Sequence, residues 1–156
     1  MLIFVSYNGQ HMNKLNVALE PDYGEIDNGK LFLKVNLTID GGCPLECNDD
    51  DFDIAELIKS GKKDGTYFIW TCSCGVPECA GYFKGIQVTS KDEFTIWEDN
   101  DLNKVYKFQT VEVQNTLIAL YDDLVKWNLV AQGIEAELNI WPSWTMDYLL
   151  PAIESK

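Results

Sequence analysis

The sequence contains no arginine: all twelve basic residues are lysine, set against 25 acidic ones for a formal net charge of −13. Arginine supplies the planar fork that suits phosphate and guanine, and an acidic surface repels a polyanion. Nucleic acid is therefore excluded as an expected partner. Histidine is almost as scarce, with His11 as its one occurrence. No run of about eighteen apolar residues is present, so no membrane-spanning helix is expected. The apolar stretch Met1 to Tyr7 is short for a signal-peptide core, has no basic residue before it and is followed by Asn8, Gly9 and Gln10. These features predict a cytoplasmic protein.

What is present suits one compact domain: 156 residues, 46% hydrophobic and 12% aromatic, are ample for a core. Leu31, Leu33, Val35, Leu37 and Ile39 alternate with Phe32, Lys34, Asn36, Thr38 and Asp40, the period of a half-buried strand. Leu15, Val17 and Leu19 alternate likewise, and Pro21, Gly24, Asn28 and Gly29 supply turn residues for a hairpin between the two runs. Asp53 and Glu56 have capping-box spacing, which predicts a helix from Ile54 to Ser60 that stops at Gly61. Further strands are expected at Thr66 to Cys72, Tyr82 to Thr89, Phe94 to Glu98 and Val105 to Val111, all rich in β-branched and aromatic residues. After Asn115 the spacing turns helical, predicting the main helix over Leu117 to Val130. Period two returns from Ile134 to Ile140, and a last helical piece is expected after Ser143. The expected fold is α+β, a predominantly antiparallel sheet packed against one long helix, with short additional helices. Trp70 and Trp97 belong to its core, while for Trp141 and Trp144, which flank Pro142 and Ser143, burial is the first reading and an exposed anchor at one of them the second.

Five cysteines, an odd number, argue against a complete disulfide framework. Cys72, Cys74 and Cys79 fall within eight residues at an expected hairpin tip, with Gly75 free to take positive φ and Pro77 fixing a turn. Three thiols so placed can point at one centre and bind zinc, with Cys43 and Cys47 available to complete the set. Neither spacing is the usual zinc knuckle, a repeated pair two residues apart. Packed reduced thiols and a redox pair are the other readings.

The string Cys72-x-Cys74-Gly75-x-x-x-Cys79-Ala80-Gly81, after the aromatic strand residues Tyr67, Phe68 and Trp70, resembles a signature of small bacterial proteins. Some of these are similar to immunity proteins encoded beside polymorphic or contact-dependent toxins. The resemblance covers about a tenth of the chain and implies no functional residue.

Two acidic runs stand out: Asp49, Asp50, Asp51, Asp53 and Glu56, preceded by Glu46, and then Glu98, Asp99 and Asp101. Neither is an EF-hand, because Ile54 and Ser60, or Lys104 and Thr110, occupy the positions that require Gly and Glu. The runs are either solvated loop residues, the first favouring the positive end of the helix at Ile54, or a docking surface for a basic partner. No nucleophile elbow or HExxH helix occurs, and Gly61-Lys62-Lys63 lacks the Ser or Thr of a phosphate loop. The chain is thus expected to bind, not to catalyse. The leading expectation is an acidic immunity protein that neutralises a basic toxin domain, such as a nuclease. The alternative is a cysteine-based zinc or redox module.

Overall fold

The computed structural model describes residues 11–22, 29–45, 50–142 and 144–154. The expected α+β architecture is present, with antiparallel-rich sheets and one long helix. Strands β1 (Leu15–Pro21) and β2 (Lys30–Ile39) form the expected antiparallel hairpin, Leu15 opposite Ile39 and Leu19 opposite Val35. Leu33, Val35, Leu37 and Ile39 point inward, so the period-two pattern of β2 is its buried face. The turn residues Gly24 and Asn28 lie outside the described residues. β3 (Asp50–Phe52) runs into α1 (Ile54–Ser60), whose N-cap Asp53 accepts the N–H groups of Ala55 at 2.9 Å and Glu56 at 3.1 Å.

The single strand expected over Thr66 to Cys72 is two strands in different sheets: β4 (Gly65–Tyr67) and β5 (Trp70–Cys72). A carboxylate breaks the run. Glu56 accepts the Phe68 N–H at 2.9 Å, and the Ile69 carbonyl turns to the Asp53 N–H at 2.8 Å. β6 (Ile86–Lys91) starts later than Tyr82 because Asp101 takes the N–H groups of Phe83, Lys84 and Gly85. β7 (Phe94–Asp99) and β8 (Lys104–Gln109) complete a four-stranded antiparallel sheet in the order β4-β6-β7-β8.

The long helix α2 (Thr110–Gly133) begins seven residues before the expected start. Thr110 and Val111 read as the end of the strand from Val105 because they are β-branched, and Gln109 makes no side-chain cap to announce a helix. β9 (Glu137–Ile140) then pairs with β2 in parallel, Leu33 opposite Ile140, and β10 (Trp144–Thr145) with β9 antiparallel, giving the order β1-β2-β9-β10. The final helix α3 (Met146–Glu154) carries Pro151 inside it. Val113, Leu117, Leu120, Leu124 and Ala131 are the buried residues of α2, within a core built from both four-stranded sheets. No helix among the described residues is long and apolar enough to cross a membrane.

Candidate metal centre

β3 and β5 form a two-stranded ribbon with Asp50 opposite Cys72 and Phe52 opposite Trp70. The ribbon rests on an aromatic ladder: Phe52 meets Trp70 at 5.6 Å, Trp70 meets Trp97 at 6.3 Å, and Trp97 meets Phe108 at 5.1 Å, all edge to face. Trp70 and Trp97 are core residues as expected. This rigid base ends at Cys72, where the chain leaves the ribbon.

Two tight turns follow. The Gly75 N–H bonds the Cys72 carbonyl at 2.8 Å with Gly75 at φ 84°, a conformation that disfavours a side chain. A 3-10 turn over Pro77–Ala80 then closes on Gly81 at φ 88°, with the Tyr82 N–H returning to the Pro77 carbonyl. Folding the chain back on itself brings the sulfurs of Cys72, Cys74 and Cys79 within 4.8 Å of one another. The motif is not a hairpin tip, however. β5 pairs with β3 and β6 pairs with β4, so the thiol turn links two sheets. Cys43 is exposed and stands outside the gathered set, and Cys47 lies outside the described residues.

Cys74 and Cys79 are exposed and Cys72 is half-buried. The Cys74 N–H and the neighbouring thiols hydrogen-bond the Cys72 sulfur and lower its pKa, favouring the thiolate. The opposite holds at Cys79, which is pushed up to about 11 by hydrogen bonding with Cys72 and Cys74 and then by their negative charge. Three thiolates this close repel one another unless a cation joins them. Two sulfurs on one tetrahedral zinc, with bonds of about 2.3 Å, stand about 3.8 Å apart. The donor set therefore fits a soft cation with an adjustment of about 1 Å, and it can hold a metal ion.

The acidic residues are placed differently. Asp53 caps α1 and also accepts the Trp144 indole N–H at 3.1 Å; burial raises its pKa, against the opposing hydrogen bonds from Glu56 N–H and Trp144. Glu56 holds Phe68 with one oxygen and Lys59 with the other, at 2.8 Å. Asp51 sits 3.6 Å from Lys34. Asp99 is buried, accepts the Trp70 indole N–H at 2.6 Å, and ties the turn through the Asp101 and Leu102 N–H groups. Asp101 gathers the backbone of Phe83 to Gly85. Glu98 is exposed on β7. Asp49 and Glu46 lie outside the described residues, and Asp50 is described only as backbone of β3.

His11 is exposed and lies 3.2 Å from Asp40. Trp141 is partly exposed and stacks on Phe32 at 5.5 Å, while Trp144 is half-buried against Asp53. The spacing of the acidic residues gave no sign that Asp99 and Asp101 serve the backbone. The signal that could have found Asp99 is the Asp99-Asn-Asp101-Leu102 sequence, in which an Asx side chain bonds N–H groups two and three residues on, whereas Asp101 reaches back to Phe83, Lys84 and Gly85, which no local pattern marks. Comparison of the chain with protein-family models, with curated proteins and with solved structures gives no match, so the resemblance carried by Cys72 to Gly81 rests on that string alone.

Proposed function

We propose that this protein is a binding module, not a catalyst, and that the turn from Cys72 to Gly81 holds a thiophilic cation, zinc first among them. The observation that carries this reading is the convergence of three sulfurs within 4.8 Å on a turn anchored to buried aromatic residues. Zinc would be held by the thiolates of Cys72, Cys74 and Cys79, with a fourth position left for water or another donor. Binding would release the protons that the crowded thiols retain, Cys79 foremost, so affinity should rise with pH. Metal analysis of protein purified without chelator or affinity tag tests this, together with cobalt substitution and its thiolate-to-metal absorption. About one equivalent of metal, lost in a Cys72→Ser/Cys74→Ser/Cys79→Ser variant, is expected; less than about a tenth of an equivalent ends the reading.

A second reading rests on charge. A chain of net charge −13 without arginine is suited to a cationic protein partner, and we propose that this partner is a basic toxin domain which the protein neutralises in the cytoplasm. Co-expression with a toxin encoded beside the gene should protect cells. Absence of protection, together with no complex at low salt, rejects it.

A further inference from the structure

The outer face of α2 is apolar where a solvated helix would be polar. Val111, Ile118, Val125 and Leu129 fall within about 20° of one line along the helix at 100° per residue. They are 59%, 61%, 39% and 62% exposed. Exposed apolar residues scattered singly need no explanation, but four aligned over about 27 Å form a stripe. It opens sideways into a groove of about 460 Å³ between α1, α2 and α3, floored by Ile58, Leu117, Ile118, Tyr121 and Ile153. Ile118 belongs to both. Backbone approaches closely at one end of the groove, where a Cβ on Gly61 would stand 2.5 Å from Leu117 Cδ1.

Charge decides what can cover this surface. Glu154 lines the groove and accepts the Tyr121 hydroxyl, and Asp122 stands beside the stripe. The cation at the groove, Lys62, donates to the Ile153 carbonyl. The exposed charges of α2 are Glu112, Asp122 and Asp123 against Lys126. A second copy would bring −13 against −13, which opposes association through this face. We infer that the stripe and groove are a docking surface for a cationic amphipathic helix of a protein partner, its apolar side on Ile118 and its lysines or arginines toward Asp122 and Glu154. The proposal is independent of the thiol centre and rests on the reading of a cationic partner. It moves the contact away from Asp53, Glu56, Asp99 and Asp101, whose oxygens hold backbone N–H or indole donors of this chain, whereas among the described residues Glu154 meets one exposed hydroxyl, that of Tyr121, through one oxygen.

The test uses the full chain and two labelled peptides of about 18 residues. One is a Leu/Lys helix with leucine on one face; the other has the same lysines with serine for leucine. The Leu/Lys peptide should bind at least about tenfold tighter, and Ile118→Ser/Val125→Ser should reduce it to the level of the serine peptide. Leu129→Ser alone should remove part of the difference, and Asp122→Lys/Glu154→Lys should weaken binding and flatten its salt dependence. Unchanged melting temperatures show that the variants fold. Equal binding of the two peptides, or no effect at Ile118 and Val125, overturns the docking surface while leaving a charge-driven partner elsewhere possible. No binding of either peptide at low salt defeats the cationic-partner reading as well. Sedimentation showing a dimer that Ile118→Ser/Val125→Ser dissociates would make the occupant a second copy and also overturn the proposal.

Discussion

The turn from Cys72 to Gly81 and the turn from Asp99 to Asn103 both carry clustered ionisable side chains, yet they use them in opposite ways. In the acidic turn each described aspartate is matched to donors of the same chain: Asp99 to the Trp70 indole and two N–H groups, Asp101 to three more. In the thiol turn like groups face one another, and mutual hydrogen bonding and repulsion leave Cys79 protonated up to about 11. Clustering in sequence is therefore not in itself a binding site. What separates the two is whether the fold has already neutralised the groups.

Breaking the acidic turn should have the largest effect. Asp99→Ala would leave the buried Trp70 indole N–H without its acceptor and release the two turn N–H groups, at about 2–4 kcal/mol of unfolding stability measured by urea titration. The thiol turn behaves the other way. Its triple serine variant should change metal-free stability by less than about 0.5 kcal/mol, whereas zinc at about a hundred times its Kd should add about 2.7 kcal/mol to the wild type alone. A smaller effect is expected from Asp101→Ala, about 1–2 kcal/mol, because water can reach the N–H groups it leaves.

The smallest effect concerns Asp53, the acid that lies between the two extremes. Burial raises its folded pKa above the ordinary 3.8, so it binds a proton more tightly folded than unfolded. Its protonated form therefore adds stability below about pH 3.8 that is lost as pH rises through the folded value. Asp53→Asn keeps a capping side chain but does not titrate. The melting-temperature advantage of wild type over this variant should fall between about pH 3 and pH 7, and a constant difference would refute the raised pKa.

Much of the scaffold was legible because alternation and capping are local. The β1–β2 hairpin and α1 with its Asp53 cap occur where the spacing places them. The closeness of the three thiols was legible too, since two turns within eight residues leave little freedom. Three features were not. The parallel pairing of β2 with β9 joins residues too far apart in sequence for any window to link. The break after Tyr67 depends on the Glu56 carboxylate, a competitor for backbone N–H that no propensity describes. On α2 the helical spacing of Leu117, Leu120, Leu124 and Ala131 marks the buried face, but it gave no notice of the second apolar line over Val111, Ile118, Val125 and Leu129 on the exposed side.

The β2–β9 pairing also has a consequence for synthesis. Leu33 lies beside Ile140, more than a hundred residues later in the chain. Closing so long a loop costs entropy before contacts reward it, and the β1–β2 hairpin emerges from the ribosome well before its neighbour exists. Until then Phe32 and the inner edge of β2 face solvent with unpaired backbone groups, the template on which stray strands pair. The nascent chain thus leaves an open edge on the strand with the strongest β pattern, and the exposed polar side chains Lys30, Lys34 and Asn36 along β2 are of the kind that disfavours stray pairing.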